Sequence, residues 1–339
     1  MKKKAIIFGI TGQDGSYLAE FLINKKYEVH GIKRRTSTPN TSRIDHIFDS
    51  VNFNNKNLVM HHGDLSDSGS LNRIINQINP DEIYNLGAQS HVKISFQIPE
   101  YTSDVNALGP LRLLEIIRHY KRKKIKFYQA SSSEMFGKSK PPQNEKTLFL
   151  PRSVYAISKV FAYHCVVHYR EAYNIHACNG ILFNHESPRR GVNFVTKKIV
   201  QGLSRIKNGK QKTLTLGNLY AKRDWGHAKD FVKSMWKILQ YHIADDYVIS
   251  TNTSNSVKDF VNICAKKIGI KLIWKGKGLK EVGIDKKTNK IIIKIDKKYF
   301  RETEVDNLIG NFSKAKNTLN WKPKYSFDQL VEDMINQEK

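Results

Sequence analysis

Cysteine is scarce in this chain. Cys165, Cys178 and Cys264 are the only three, and no two stand in a CxxC spacing. That excludes a disulfide framework and a thiolate metal site, and it points to a reducing, cytoplasmic setting. Metal-binding histidine patterns are also missing, because His61-His62 and His185-Glu186 lack the HExxH spacing. No apolar run approaches the roughly 20 residues that span a bilayer, so no membrane partner is expected. The opening "MKKKAIIFGI" is cut short by "TGQDG" and reads as a buried first strand rather than a leader. Carboxylates are few, 31 against 57 lysines and arginines, for a net charge of +26. Such an excess suits nucleic acid, yet the dense runs "KRKK" (121–124) and "DKKTNK" (285–290) carry no interleaved aromatics. We read it as a lysine-rich surface with some cations reserved for phosphorylated small ligands, and expect no nucleic-acid partner.

What is present is regular. Hydrophobic residues make up 40% of 339 residues and charged ones 26%, the balance of a globular protein with one large or two moderate domains. "KAIIFG", "YEVHGIK", "NLVMHHG", "DEIYNLG" and "IKFYQAS" read as strands. Helical patterns near 15–25, 68–78 and 102–119 separate them. This βαβ alternation predicts a Rossmann-type, doubly wound parallel sheet with helices on both faces. A helix near 153–173 leads to a sixth strand, "HACNGILF" (176–183). Beyond it the alternation weakens into helices near 194–208, 227–241 and 256–268 and a strand "KIIIKI" (290–295). The expected division is a cofactor-binding domain over 1–182, with segments returning near 219–252, and a smaller α/β substrate lobe over 183–339.

The first strand runs into "GITGQDG", which spaces Gly9, Gly12 and Gly15 as GxxGxxG with Thr11, Gln13 and Asp14 between them. Glycine lets backbone turn tightly and approach a pyrophosphate at the positive end of the next helix. The second strand ends in Arg34, Arg35, Thr36 and Ser37, where an NAD site would place a carboxylate. Two guanidiniums beside hydroxyls suit a 2′-phosphate, so the expected cofactor is NADP. After the third strand, Asp64 and Leu65 suit an adenine amino group and ring face; Asp64 could instead cap the following helix.

Tyr155 and Lys159 lie one helical turn apart on one face, and Ser132 and Glu134 follow the fifth strand in "QASSSEMFGK". A phenol titrates near 10, too high for a base at neutral pH. A lysine ammonium and a positive nicotinamide are expected to lower it.

These motifs together resemble the extended short-chain dehydrogenase/reductases, the NAD-dependent epimerase/dehydratase family, and among them the enzymes that dehydrate GDP-linked sugars. The resemblance runs through "ITGQDGSYLAEFL" (10–22), "YNLGAQSHV" (84–92), "FYQASSSEMFG" (127–137), "PRSVYAISK" (151–159), "LFNHESPRRG" (182–191) and "RDWGHAKD" (223–230). It implies an NADP-dependent hydro-lyase acting at C4 and C6 of a GDP-mannose-type sugar. Tyr155, Ser132 and Lys159 would serve C4 oxidation, and Glu134 the removal of the C5 proton and of the C6 hydroxyl. It further implies cofactor contacts at Leu86, Gly87, Ala88, Gln89, Ser90, Tyr101, His185 and Arg190. Substrate contacts are implied at Ser90, Asn184, Lys198, Arg223, Arg301 and Glu304, and a homo-oligomer, dimer or tetramer, as the assembly. The family usually has Thr where this chain has Ser132, and differs at Gly87, Lys93 and Lys197. The differences at Gly87 and Lys93 leave a GDP-manno-heptose open as substrate. A 4-epimerase or 4-keto reductase of the same fold is a further alternative, although Glu134 argues against either.

Overall fold

The structure is a computed structural model that describes residues 2–48, 57–300, 303, 305 and 307–338. The first half alternates as expected: β1 (Lys4–Phe8), α1 (Gln13–Asn24), β2 (Glu28–Lys33), β3 (Leu58–His62), α2 (Ser68–Ile78) and β4 (Glu82–Asn85). There follow α3 (Pro99–Ser103), α4 (Gly109–His119), β5 (Lys126–Ser132), α5 (Val154–Tyr173) and β6 (Ala177–Leu182). A π-helical turn over Asp104–Leu108 joins α3 to α4, so the single helix expected from 102 to 119 is interrupted.

The second half runs β7 (Asn184–Glu186), α6 (Val195–Lys207), β8 (Leu214–Leu216), β9 (Lys222–Arg223), β10 (Trp225–His227) and α7 (Ala228–Gln240). It continues with β11 (Tyr247–Ile249), β12 (Asn255–Ser256), α8 (Val257–Lys267), β13 (Leu272–Lys275), β14 (Val282–Asp285) and β15 (Lys290–Ile295). The last elements are α9 (Ser313–Leu319) and α10 (Phe327–Asn336).

Seven strands form one parallel sheet in the order β11-β6-β5-β4-β1-β2-β3. The order reverses between β1 and β4, which opens a crevice at their carboxyl ends. The period-two alternation of β1 explains both layers. Ala5 and Ile7 join Leu18 and Leu22 of α1 and Phe231 and Met235 of α7 on one face. Ile6 and Phe8 join Leu71 and Ile74 of α2 and Leu113 and Leu114 of α4 on the other.

β11 belongs to this sheet although some 65 residues separate it from β6. Asp246 fastens it there: both guanidinium NH groups of Arg170 donate to its carboxylate at 2.9 and 2.8 Å, and Asn179 donates through its amide N–H and its side chain. A separate four-stranded sheet, β13-β14-β15-β8, packs with α6, α8 and α10 around Leu203, Phe260, Ile293 and Val331.

Candidate active site

The loop from β1 to α1 is built for close backbone approach. Gly9 has φ of 77°, and a Cβ there would lie 2.9 Å from Gly87 N and from Leu86 O. At Gly15 a Cβ would come within 2.3 Å of Gly9 O. The N-cap of α1 is Gly12, and no side chain caps the helix. Its first-turn amides therefore stand available to an anion. Gly9, Gly12, Gln13, Asp14 and Gly15 line a cavity of about 1000 Å³. The residues present fit a dinucleotide pyrophosphate at this end.

Asp14 does not use its carboxylate on the helix. It receives His185 Nε2 at 2.7 Å, while His185 Nδ1 donates to Phe183 O at 2.7 Å and the ring stacks on Phe231. Both imidazole nitrogens thus meet acceptors, which demands the doubly protonated ring. Burial alone would lower the His185 pKa, but the Asp14 charge and hydrogen bond outweigh it and hold the pKa raised. Burial likewise pushes Asp14 up, and His185, with the Gln13 hydrogen bond and the Arg190 charge, more than reverses that.

The reactive residues converge in the same cavity. β5 delivers Ser132 at its carboxyl end, and the short turn Ser133–Phe136 carries Glu134 next to it. Ser132 Oγ accepts the Glu134 amide N–H at 3.2 Å and hydrogen-bonds Tyr155. α5, capped by Ser153, presents Tyr155 and Lys159 one turn apart. Glu134 and Tyr155 are each 8% exposed, and all four residues line the cavity.

Lys159 Nζ donates to Ala130 O at 2.7 Å and lies 6.0 Å from the centre of the Tyr155 ring. Burial brings this ammonium down to about 8. Burial pushes the Tyr155 phenol up to about 12; the Ser132 hydrogen bond lowers it and the Glu134 charge raises it further. The expected depression is therefore not a property of the protein side chains. Lys159 spends its ammonium on a backbone carbonyl, and desolvation penalises the phenolate.

Other expected positions divide into two groups. Leu86, Ala88, Ser90, Asn184, His185, Arg190, Lys198 and Arg223 line the cavity. Arg190 Nε lies 2.9 Å from the Glu186 carboxylate without hydrogen-bond alignment, and its guanidinium covers the Phe194 ring at 3.6 Å. Lys198 Nζ sits 3.6 Å above the Tyr299 ring. Buried Arg223 donates to Val305 O at 2.6 Å. Thr11, Arg34, Arg35, Ser37, Asp64, Leu65, Gly87, Gln89 and Tyr101 do not line the cavity. Arg34 pairs with the Tyr101 hydroxyl and Arg35 donates to Thr36 O, so both extend the β2 edge of the crevice. Gln89 braces the loop through Thr102 and Asn106, and Thr11 O accepts from Arg43. Leu65 is buried 2.9 Å from where a Gly87 Cβ would stand, so it forms a floor rather than an open ring contact. Asp64 is not the helix cap: Asp67 caps α2 by accepting from Gly69 and Ser70, while Asp64 accepts from Ser66. Arg301 and Glu304 lie outside the described residues. Lys197 is occupied, donating to Pro188 O at 2.8 Å and pairing with Glu338.

The far end of the cavity was not legible beforehand. Leu214, Leu216, Trp225 and Val257 give it apolar walls, with Gln201 and Arg205 from α6 beside them. The signal was amphipathic helix spacing alone, which core packing explains equally well.

A glycine loop at the reversal of strand order, facing a Ser/Tyr/Lys trio, is the arrangement of the extended short-chain dehydrogenase/reductases. The comparisons narrow this. The profile of the family described as GDP-mannose 4,6 dehydratase matches residues 6–334, and the chain belongs to that family. A GDP-mannose 4,6-dehydratase of Vibrio cholerae is 52% identical over 347 residues, spanning 99% of this chain and 93% of the relative. The GDP-mannose 4,6 dehydratase of Homo sapiens is 54% identical over 335 residues, spanning 98% and 90%. Among solved structures, a dTDP-glucose 4,6-dehydratase of Bacillus anthracis in complex with NAD aligns with a TM-score of 0.80, covering 99% of this chain and 96% of that one. At 21% identity that likeness speaks for the fold.

Proposed function

We propose that the protein is an NADP-dependent hydro-lyase that converts GDP-mannose to GDP-4-dehydro-6-deoxy-mannose. The observation that carries this reading is the burial of Glu134 beside Ser132 and Tyr155 in one cavity, in a chain more than half identical to named GDP-mannose 4,6-dehydratases. A redox enzyme that only moves a hydride needs the serine, tyrosine and lysine. A carboxyl group in the same cavity adds the means to break a C–H bond and expel a hydroxyl.

The cofactor, when bound, supplies reversible hydride transfer, from C4 early in the cycle and to C6 at its end, so it is not consumed. The α1 amides and the glycine loop would hold its pyrophosphate, and Arg34 and Arg35 the 2′-phosphate. Tyr155 takes the C4 hydroxyl proton, with Ser132 hydrogen-bonded to the same oxygen. Lys159 supplies positive charge beneath the site. Oxidation at C4 acidifies the C5 proton, and Glu134 removes it. The same carboxyl then protonates the departing C6 hydroxyl, so one group serves as base and acid in turn; a proton from Tyr155 or from solvent restores the C5–H bond and balances the hydride gained at C6. Asn184, Lys198 and Arg223 would hold the GDP portion, the two cations facing its diphosphate.

Apolar side chains on the α3–α5 surface, among them Ile98, Leu108, Ile157 and Phe161, are exposed and support a homo-oligomer. Three unpaired cysteines support a cytoplasmic setting. The test is mass spectrometry of the product. Loss of one water from GDP-mannose with no net change of cofactor redox state is expected, and an isomer of unchanged mass would overturn the reading in favour of epimerisation.

A further inference from the structure

The positive charge is distributed unevenly along the chain. Between Lys271 and Lys298 stand ten lysines, no arginine and three carboxylates. β13, β14 and β15 carry this stretch as an antiparallel meander. Trp274, Gly283, Ile293 and Leu214 are in register on the face that joins the core beneath α6 and α8. Ile273, Ile284 and Ile291 are in register on the opposite face. That face is open at its flanks, where Ile273 is 39% and Ile291 41% exposed, while Ile284 between them is buried. Lys271 and Lys275 share it with Ile273 by the period of two, and Lys294 stands on it opposite in sense to Ile293.

The nearby carboxylates are already engaged. Glu281 holds Lys258 at 2.6 Å and the Tyr220 hydroxyl, Asp285 accepts from Lys287 N and Thr288 Oγ1, and Asp296 accepts from Lys298 N. Among the described residues, none of Lys271, Lys275, Lys277, Lys280, Lys286, Lys287, Lys290 and Lys294 forms an ion pair through its side chain.

We propose that the outer face of β13–β15 docks on an anionic lipid surface. Charge complementarity selects the occupant. Lysine presents compact point charges on flexible stems, suited to a field of headgroup phosphates, and lacks the bidentate fork of arginine. Nucleic acids are gripped by arginine forks and stacked aromatics. This face offers neither, since Trp274 is turned inward with Nε1 on Asn262 and Lys258 over its ring. Lysine stems lie along apolar side chains while their heads reach the phosphates, and the isoleucines enter the headgroup boundary. The sequence-based expectation of no membrane partner concerned a spanning segment, and no helix among the described residues is long and apolar enough to cross a membrane. A peripheral face needs none. The inference is independent of the reaction proposed above.

The test is sedimentation of the full chain with phosphatidylcholine vesicles, with and without phosphatidylglycerol. Anionic vesicles should carry the protein down and release it as salt rises, and neutral vesicles should not. At about fivefold per lysine, a K271E/K275E/K294E variant should partition about a hundredfold less while dehydrating GDP-mannose at the parent rate. An I273S/I291S variant should bind several-fold more weakly. Equal pelleting on neutral vesicles, or undiminished binding of the triple variant, would overturn the proposal. Tighter binding to a single-stranded oligonucleotide than to the anionic vesicles would overturn it too.

Discussion

Glu134→Gln separates the two halves of the proposed chemistry. The amide of residue 134 continues to donate to Ser132 Oγ, so the turn that carries the side chain is retained. Glutamine also fills the same volume at a buried position. What it removes is a group able to accept a proton and give it back. Loss of general acid–base assistance costs about 10²–10⁴ in rate, or about 3–5 kcal/mol of barrier at 1.36 kcal/mol per decade. Burial is the main cause that raises the Tyr155 pKa and the Glu134 charge adds to it, against the lowering by the Ser132 hydrogen bond, so neutralising Glu134 eases loss of the phenolic proton. Oxidation at C4 should therefore persist while elimination fails. Stopped-flow absorbance of reduced nicotinamide should rise on mixing with GDP-mannose and remain, and mass spectrometry should show water loss slowed at least about a hundredfold. Release of water at the parent rate refutes the base role. Absence of any reduced cofactor in the variant refutes the separation of steps.

Three further outcomes follow from the geometry. Replacing Arg34 and Arg35 by alanine removes two exposed guanidiniums from the β2 edge; NADP affinity should fall about tenfold while NAD affinity holds, as read by fluorescence titration. Gly137 has φ of 50°, and a Cβ there would stand 1.8 Å from Leu150 O. Gly137→Ala should cost about 2 kcal/mol or more, lower the melting temperature, and slow turnover by moving the adjacent Ser133–Phe136 turn. His185→Asn leaves the partly buried Asp14 without its cation, at about 3 kcal/mol between about pH 4 and 6.5. Because the folded pKa of His185 is raised, its contribution is full below about 6.5 and is lost as pH rises through the folded value. The lowered pKa of Asp14 adds stability that is present above about 4 and is lost as pH falls through its folded value. Melts of parent and variant should differ most between those limits and converge in alkali.

Local pattern reached the first half of the chain well, because its strands are continuous apolar runs and its helices show one apolar face. That the glycine loop, Ser132, Tyr155 and Lys159 would lie near one another was legible from their offsets from strand and helix ends, and they line one cavity; a role for Glu134 came from the family resemblance. Long-range effects were not. The β13–β14 hairpin hides in a lysine-rich stretch whose inward residues, such as Trp274 and Gly283, give no clean alternation. Asp67 rather than Asp64 caps α2, a choice between two carboxylates three residues apart that only backbone geometry decides. The upward shift of Tyr155 arises from burial, and burial depends on packing from α5, β5 and β6 together.

The late arrival of β11 binds the molecule's assembly in time. An amino-terminal fragment ending at β6 would present that strand's ladder groups uncovered and leave Arg170 and Asn179 without the carboxylate they share. The seven-stranded sheet therefore closes its flank only after the chain has travelled out through α6 and the β8–β10 region and come back. On an emerging polypeptide, α6 and β8–β10 are made before that sheet can be finished, so a cut anywhere between β6 and β11 would strip it of its edge strand.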